Sequence, residues 1–206
     1  MKQVNKKYIE PEMLFEAKEV DDTSNDFNKF VKFTFANELD NVSFDNCVFE
    51  ECTFLGNMER CTFYNCRFYK CEFSNIKMVS ASIHSVLFEQ CHMIGIDFID
   101  SFVRYVKFKE NNMRYGMFSS TRILNTVLRE NNMQNGNFSS IEFKDIEFIN
   151  NDFSNIEIVD TPMMDINIAS NKIDGIKISP ALVRGMIVTE VQAIELINIL
   201  GVILDD

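Results

Sequence analysis

The stretch that decides the fold is KENNMRYGMFSS at positions 109–120, because positions 129–140 read RENNMQNGNFSS. From Glu110 to Ser120 the two versions agree at eight of eleven positions without a gap. Self-similarity at a fixed period is the signature of a repeat architecture. A finer period lies inside it. Steps of five from Met58 through Phe63, Phe68 and Phe73 to Ile178 meet a bulky apolar side chain at all 25 positions. A helix repeats its faces every 3.6 residues and a strand every two, so a strict five requires a coil whose sides hold five residues each. Four such sides make a turn of 20 residues, the spacing of the two matching stretches.

Two residues before each of these centres the side chain is mostly small, and all six cysteines (Cys47, Cys52, Cys61, Cys66, Cys71 and Cys91) stand at such positions. Each unit therefore points one large and one small side chain inward, which suits close packing, and leaves three outward. Every 20 residues the small position gives Asn111, Asn131, Asn151 and Asn171, and a neighbouring column gives Ile76, Ile96, Gly116, Gly136, Ile156 and Ile176. Turns stacked about 4.8 Å apart align such columns, and asparagine amides stacked this way hydrogen-bond along the column. The period continues backwards through Phe54, Phe49, Phe44 and Leu39 after a one-residue slip, and through Phe35 and Phe30 after a second. About seven and a half turns make a rod on the order of 36 Å long at that spacing.

The pattern from about Phe30 to Ile178 resembles the pentapeptide-repeat family. The resemblance implies an all-β fold, a right-handed quadrilateral parallel β-helix, here with a short C-terminal helix. Three segments are expected: an N-terminal cap at 1–28, the β-helix at 29–178, and a C-terminal helical cap and dimerisation segment at 179–206. A solenoid needs capped ends. Pro11 is placed to start a short helix in PEMLFEAKEV. Thr189 to Gln192 form a capping-box pattern, with Gly201 a helix stop. The apolar residues between and beyond them exceed what one cap requires, so this end is expected to self-associate as a two-fold dimer.

Nothing in the pattern points to catalysis, a metal or a cofactor. His84 and His92 flank interior positions on different turns, with no carboxylate or cysteine at ligand spacing. The cysteines lack the closely spaced pairs of a zinc site and read as compact hydrophobes. No apolar run reaches the length of a membrane span. The opening residues lack the apolar run of a secretory signal, and six cysteines without one suggest reduced thiols, so a cytoplasmic protein is expected.

The net charge of −11 is unevenly spread. Residues 1–59 carry −7, residues 60–129 carry +5, residues 130–171 carry −7, and the last 35 carry −2. If two chains meet through their C-terminal ends, the rod has a negative middle, positive shoulders and negative tips. A negative saddle on a narrow rod suits a DNA-binding groove.

The ending SPALVRGMIVTEVQAIELINILGVI, and the inner segment SIHSVLFEQCHMIGIDFIDSF, resemble the Qnr-type quinolone-resistance group within the family. That resemblance implies a DNA-mimicking homodimer that binds bacterial type II topoisomerase (DNA gyrase or topoisomerase IV), inhibits it and protects it from fluoroquinolones. It implies no direct nucleic-acid or membrane contact. It makes Val191, Ile194, Ile197 and Leu200 dimer contacts, and places Asp145, Glu147, Asp152, Glu157, Asp160 and Asp165 on a gyrase-facing acidic surface. The unbroken five-step leaves no room for the interrupting loops of Gram-negative members and is closer to loop-free members of Gram-positive bacteria and mycobacteria. The alternative is a scaffolding β-helix for another protein, which acids scattered over all four faces would favour.

Overall fold

The computed structural model describes residues 8–197 and residue 199. Successive five-residue units pass around four faces, named here by their inward centres. Face one carries Leu39, Met58, Met78 and so on to Ile178. Face two runs through Phe44, Phe63 and Ile83, face three through Phe49, Phe68 and Phe88, and face four through Phe54, Phe73 and Met93. Faces one and three are eight-stranded parallel sheets, and face two is seven-stranded. In each, centre pairs with centre one turn on: Met78 with Phe98, Phe63 with Ile83, Phe68 with Phe88. Face four has one two-stranded ladder and then single bridges, from Thr53–Glu72 to Asp152–Lys172. Hydrogen-bonded turns such as Ile76 N to Phe73 O take the place of its strands. The chain is thus a right-handed quadrilateral parallel β-helix.

Of the 25 centres from Met58 to Ile178, all are buried except Phe143, which is half-buried on face two. The rings stack along the axis, with Phe49, Phe68, Phe88 and Phe108 at centroid spacings of 4.4, 4.8 and 5.0 Å.

A chain with only seven Gly must turn these corners with other residues. It does so at the second position after each centre, where 26 non-glycine residues have φ between 46° and 60°. Eight are Asn and four are Asp, the side chains that tolerate the left-handed region best. Both one-residue slips fall on the corner between faces four and one. There a Cβ on Gly56 would lie 2.4 Å from the Asn37 backbone, so only glycine fits.

The small-residue column of face four continues from Cys52, Cys71 and Cys91 into the four asparagines. Asn131 Oδ1 accepts from both the backbone N and Nδ2 of Asn111, each at 3.0 Å. Asn151 and Asn171 repeat the arrangement at 2.8 to 3.0 Å. Each Nδ2 also donates to a main-chain carbonyl: those of Phe88, Phe108, Leu128 and Phe148. The ladder expected from the column is therefore present and saturated.

The ends depart from expectation at one point. The residues after Pro11 form no helix. Phe15–Glu16 is a strand paired with Asn28–Val31, with Phe15 N donating to Phe27 O at 2.8 Å and Ala17 N to Lys29 O at 2.9 Å. Open backbone groups on the first turn are satisfied by strand addition, which a helix does not provide. Before it, Ile9 is clipped to the corner residue Asn65: Ile9 N donates to Asn65 Oδ1 at 2.8 Å, and Asn65 Nδ2 donates to Ile9 O at 2.9 Å. At the other end main-chain pairing continues past Ile178 to Ile187. The capping box is reciprocal, with Thr189 N donating to Gln192 Oε1 at 2.9 Å and Gln192 N to Thr189 Oγ1 at 3.2 Å. It opens the helix α1, Glu190–Ile197. The expected stop at Gly201 lies outside the described residues.

Candidate functional site

Two surfaces were expected to carry function, an acidic one and the C-terminal end. Glu157 and Asp160 lie on face one, Asp145 and Asp165 on face two, Glu147 on face three and Asp152 on face four. All are exposed except the half-buried Asp152. Because the acids occupy one turn and its flanks, they form a belt around the rod where a saddle on one side was expected. All four faces share it, the distribution that favours the scaffold alternative.

Asp152 is the most engaged of the six, Glu157 accepting only from Asn137 Nδ2 at 3.3 Å. Asp152 accepts from Ser154 N and Oγ at 3.0 and 2.6 Å and from Gln134 Nε2 at 2.7 Å. Burial acts to raise its pKa, but these hydrogen bonds outweigh it and hold the carboxyl below the usual range.

At the C-terminal end, Gln192 Nε2 donates to the carbonyls of Ile168 and Asn171 at 3.0 and 2.7 Å. The helix is thereby tied to the last rung of the asparagine ladder. Leu196 and Ile199 pack on the core, while Val191 is 74% and Ile194 51% exposed. Ile187 and Met164 are exposed at 48% and 50%, also near this end. Ile197 is half-buried, and Leu200 lies outside the described residues.

The thiols are all buried, and each donates to main-chain oxygens, as Cys71 Sγ does to Phe49 O at 3.4 Å. Contact with Cys71 and burial push the Cys52 thiol up, and burial pushes Cys71 up. Thiols held protonated are poor nucleophiles and poor ligands. Among the described residues no group of three or more His, Cys, Asp or Glu is placed to hold a metal ion. No described helix is long and apolar enough to cross a membrane.

His84 is half-buried against two aromatic rings. Its ring stacks on Tyr64 at 5.2 Å, meets Tyr105 edge-on at 5.3 Å, and has Ser85 Oγ 3.0 Å from Nδ1. The signal was available, since Tyr64 and His84 share a column 20 residues apart, next to Arg104.

Comparison with known proteins bears on the coil. The family model for the pentapeptide repeat region matches residues 38–118. No curated protein matches the chain. Among solved structures, full-length QnrB1, a plasmid-mediated fluoroquinolone resistance protein, is 17% identical, with a TM-score of 0.38 over 87% of this chain and 100% of that one. HetL, a pentapeptide repeat protein involved in heterocyst differentiation regulation from the cyanobacterium Nostoc, is 8% identical, with a TM-score of 0.32 over 82% and 90%. Rfr23 from the cyanobacterium Cyanothece is 15% identical, with a TM-score of 0.30 over 45% and 59%. At these identities and scores the likenesses carry no argument about this chain. Residues 38–118 match the pentapeptide repeat region, and the unbroken period and ladders carry the same coil on to Ile178.

Proposed function

We propose that the chain is a non-catalytic binding rod that pairs end to end through α1 and engages a bacterial type II topoisomerase in place of duplex DNA. The observation that carries this reading is the C-terminal end itself. Val191 and Ile194 stand exposed on a helix anchored to the coil at Ile168 and Asn171, in the turn after the belt of carboxylates at 145–165. Apolar side chains so placed favour burial against a second copy. Pairing there sets two belts side by side at the middle of the double rod. The resemblance of the ending to the quinolone-resistance group supplies the partner. A belt also shares with duplex DNA the property of presenting negative charge in every direction around its axis, and DNA carries one charge per about 1.7 Å of axis.

A second reading, a scaffold for some other protein, is favoured by the spread of the acids over all four faces. The separating experiment is gyrase supercoiling against a titration of this protein, with and without ciprofloxacin. The topoisomerase reading expects inhibition of supercoiling, and its protective form expects relief of drug-induced cleavage. No effect of a large excess on either activity would leave the scaffold reading.

A further inference from the structure

The central turns carry a surface of which the two readings use only Glu147. Along face three, Leu87, Lys107, Val127 and Glu147 stand in one column on four successive turns. Beside them runs a groove of about 320 Å³, floored by the buried Val86 and Val106 and flanked by Tyr105 and Arg129. Three turn spacings of about 4.8 Å give it a length near 14 Å. That accommodates about four residues of extended chain at roughly 3.3 Å each.

One end of the groove is lined by Tyr8, from the segment clipped to Asn65. This segment displays the kind of occupant the surface takes. It pairs through its backbone at Ile9, contributes Tyr8 to the groove lining, and brings the Glu10 carboxylate within electrostatic reach of Arg67. The Tyr8 hydroxyl and Arg67 Nε are both buried with no hydrogen-bond partner among the described residues. Further along, Lys107 is exposed and has no ion pair among the described residues, and Arg129 reaches Glu130 only at 3.9 Å. Leu87 and Val127 are half-buried. The column therefore alternates apolar, cationic, apolar and anionic. Its complement is a carboxylate set between apolar side chains.

We propose that this groove docks an extended peptide of a partner protein, one that carries a carboxylate flanked by aromatic or branched apolar side chains. The backbone runs along the rod axis. The carboxylate meets Lys107 and Arg129, the flanking side chains cover Leu87 and Val127, and Glu147 disfavours a second acid at the far end. The site does not rest on the topoisomerase reading, since it meets the acidic belt only at Glu147 and its cationic and apolar residues lie away from the C-terminal end.

The test pans a phage-displayed library of random octapeptides against the full-length protein, then measures synthetic versions of the enriched sequences by fluorescence anisotropy. Enriched peptides are expected to place an acid beside an aromatic or branched apolar residue. Their affinity should fall at least tenfold with Lys107→Glu together with Arg129→Glu, and similarly with Val127→Asp. It should not change with Lys177→Glu on face one. Circular dichroism identical to the parent protein shows that the coil is intact in each variant. The proposal is overturned if no sequence is enriched, or if enriched peptides bind the groove variants unchanged. Binding that appears only when residues 1–7 are removed would also overturn it, by making the chain its own occupant. So would a change in solution mass with Lys107→Glu and Arg129→Glu, by making the occupant a second copy.

Discussion

One column of the coil is built in two chemistries. Toward the N-terminus its small positions are Cys52, Cys71 and Cys91, and toward the C-terminus they are Asn111, Asn131, Asn151 and Asn171. The junction is a single bond, Cys91 N to Asn111 Oδ1 at 2.9 Å. The cysteine turns are wrapped by stacked rings, including Phe54–Phe73 at 4.5 Å beside Phe68–Phe88 at 4.8 Å. The asparagine turns have centres such as Met133, Ile158 and Ile173, and their amides hydrogen-bond from turn to turn. The geometry is the same throughout. The difference teaches that a solenoid of this kind accepts either shape-filling or directional bonding at the same interior slot. In both halves the slot's side chain bonds a carbonyl of the turn before it, but only the asparagine amides also bond one another, and that half ends at α1.

The contrast is broken most severely by Asn131→Leu. The change strands the Asn111 backbone N–H and amide, together with the Phe108 carbonyl. At about 1–3 kcal/mol for each unpaired buried group, the loss should be on the order of 4 kcal/mol, read as a shift in urea unfolding. Phe68→Ala should follow at about 3–5 kcal/mol, from lost burial plus a cavity between two stacked rings. Cys71→Ser at the equivalent slot should cost far less, because the hydroxyl keeps the donor to Phe49 O. If Cys71→Ser proves as costly as Asn131→Leu, the distinction between the two halves fails.

Gln192→Ala sharpens the same point at the end of the ladder. It removes two hydrogen bonds to main-chain carbonyls and the capping bond from Thr189 N, for a loss of about 2–3 kcal/mol. Hydrogen exchange should then speed up in α1 and the last turn and stay unchanged near Cys71. Unaltered protection in α1 would mean that the helix is held by Leu196 and Ile199 alone.

The smallest effect concerns Asp97 on face one. Burial raises the pKa of this carboxyl, Lys77 opposes the shift only in part, and Oδ1 has no partner among the described residues. A folded pKa above the unfolded one means that the folded state holds the proton more tightly. Asp97 therefore favours folding at acid pH, and that contribution is lost as the pH rises through its raised value. Asp97→Asn should stabilise the protein near neutrality by about 1 kcal/mol, and the advantage should shrink on acidification through the carboxylate range. An advantage constant with pH would show that the charge is not the cause.

The coil was legible in the sequence because its causes are periodic. A centre every five residues and a repeat of 20 set both the faces and the asparagine column, and the capping box named the helix start. What escaped was not periodic. A short helix was expected from Pro11 within residues 11–20, yet the geometry of this end is set by Asn65 and by the open edge of Asn28–Val31, partners distant in sequence. The belt escaped for a related reason. Counting acids along the chain gives their height on the rod, whereas their face depends on position modulo 20. Applied to Asp145, Glu147, Asp152 and Glu157, that arithmetic places them on faces two, three, four and one.

The most direct test of the binding account is the affinity of the protein for DNA gyrase in the presence of competing linear duplex DNA. A DNA mimic should be displaced by the duplex and should bind more weakly as salt rises. It should also weaken when Asp152, Glu157 and Asp160 are replaced by Asn, Gln and Asn. Binding indifferent to duplex DNA and to those replacements, or no binding at all, would contradict it.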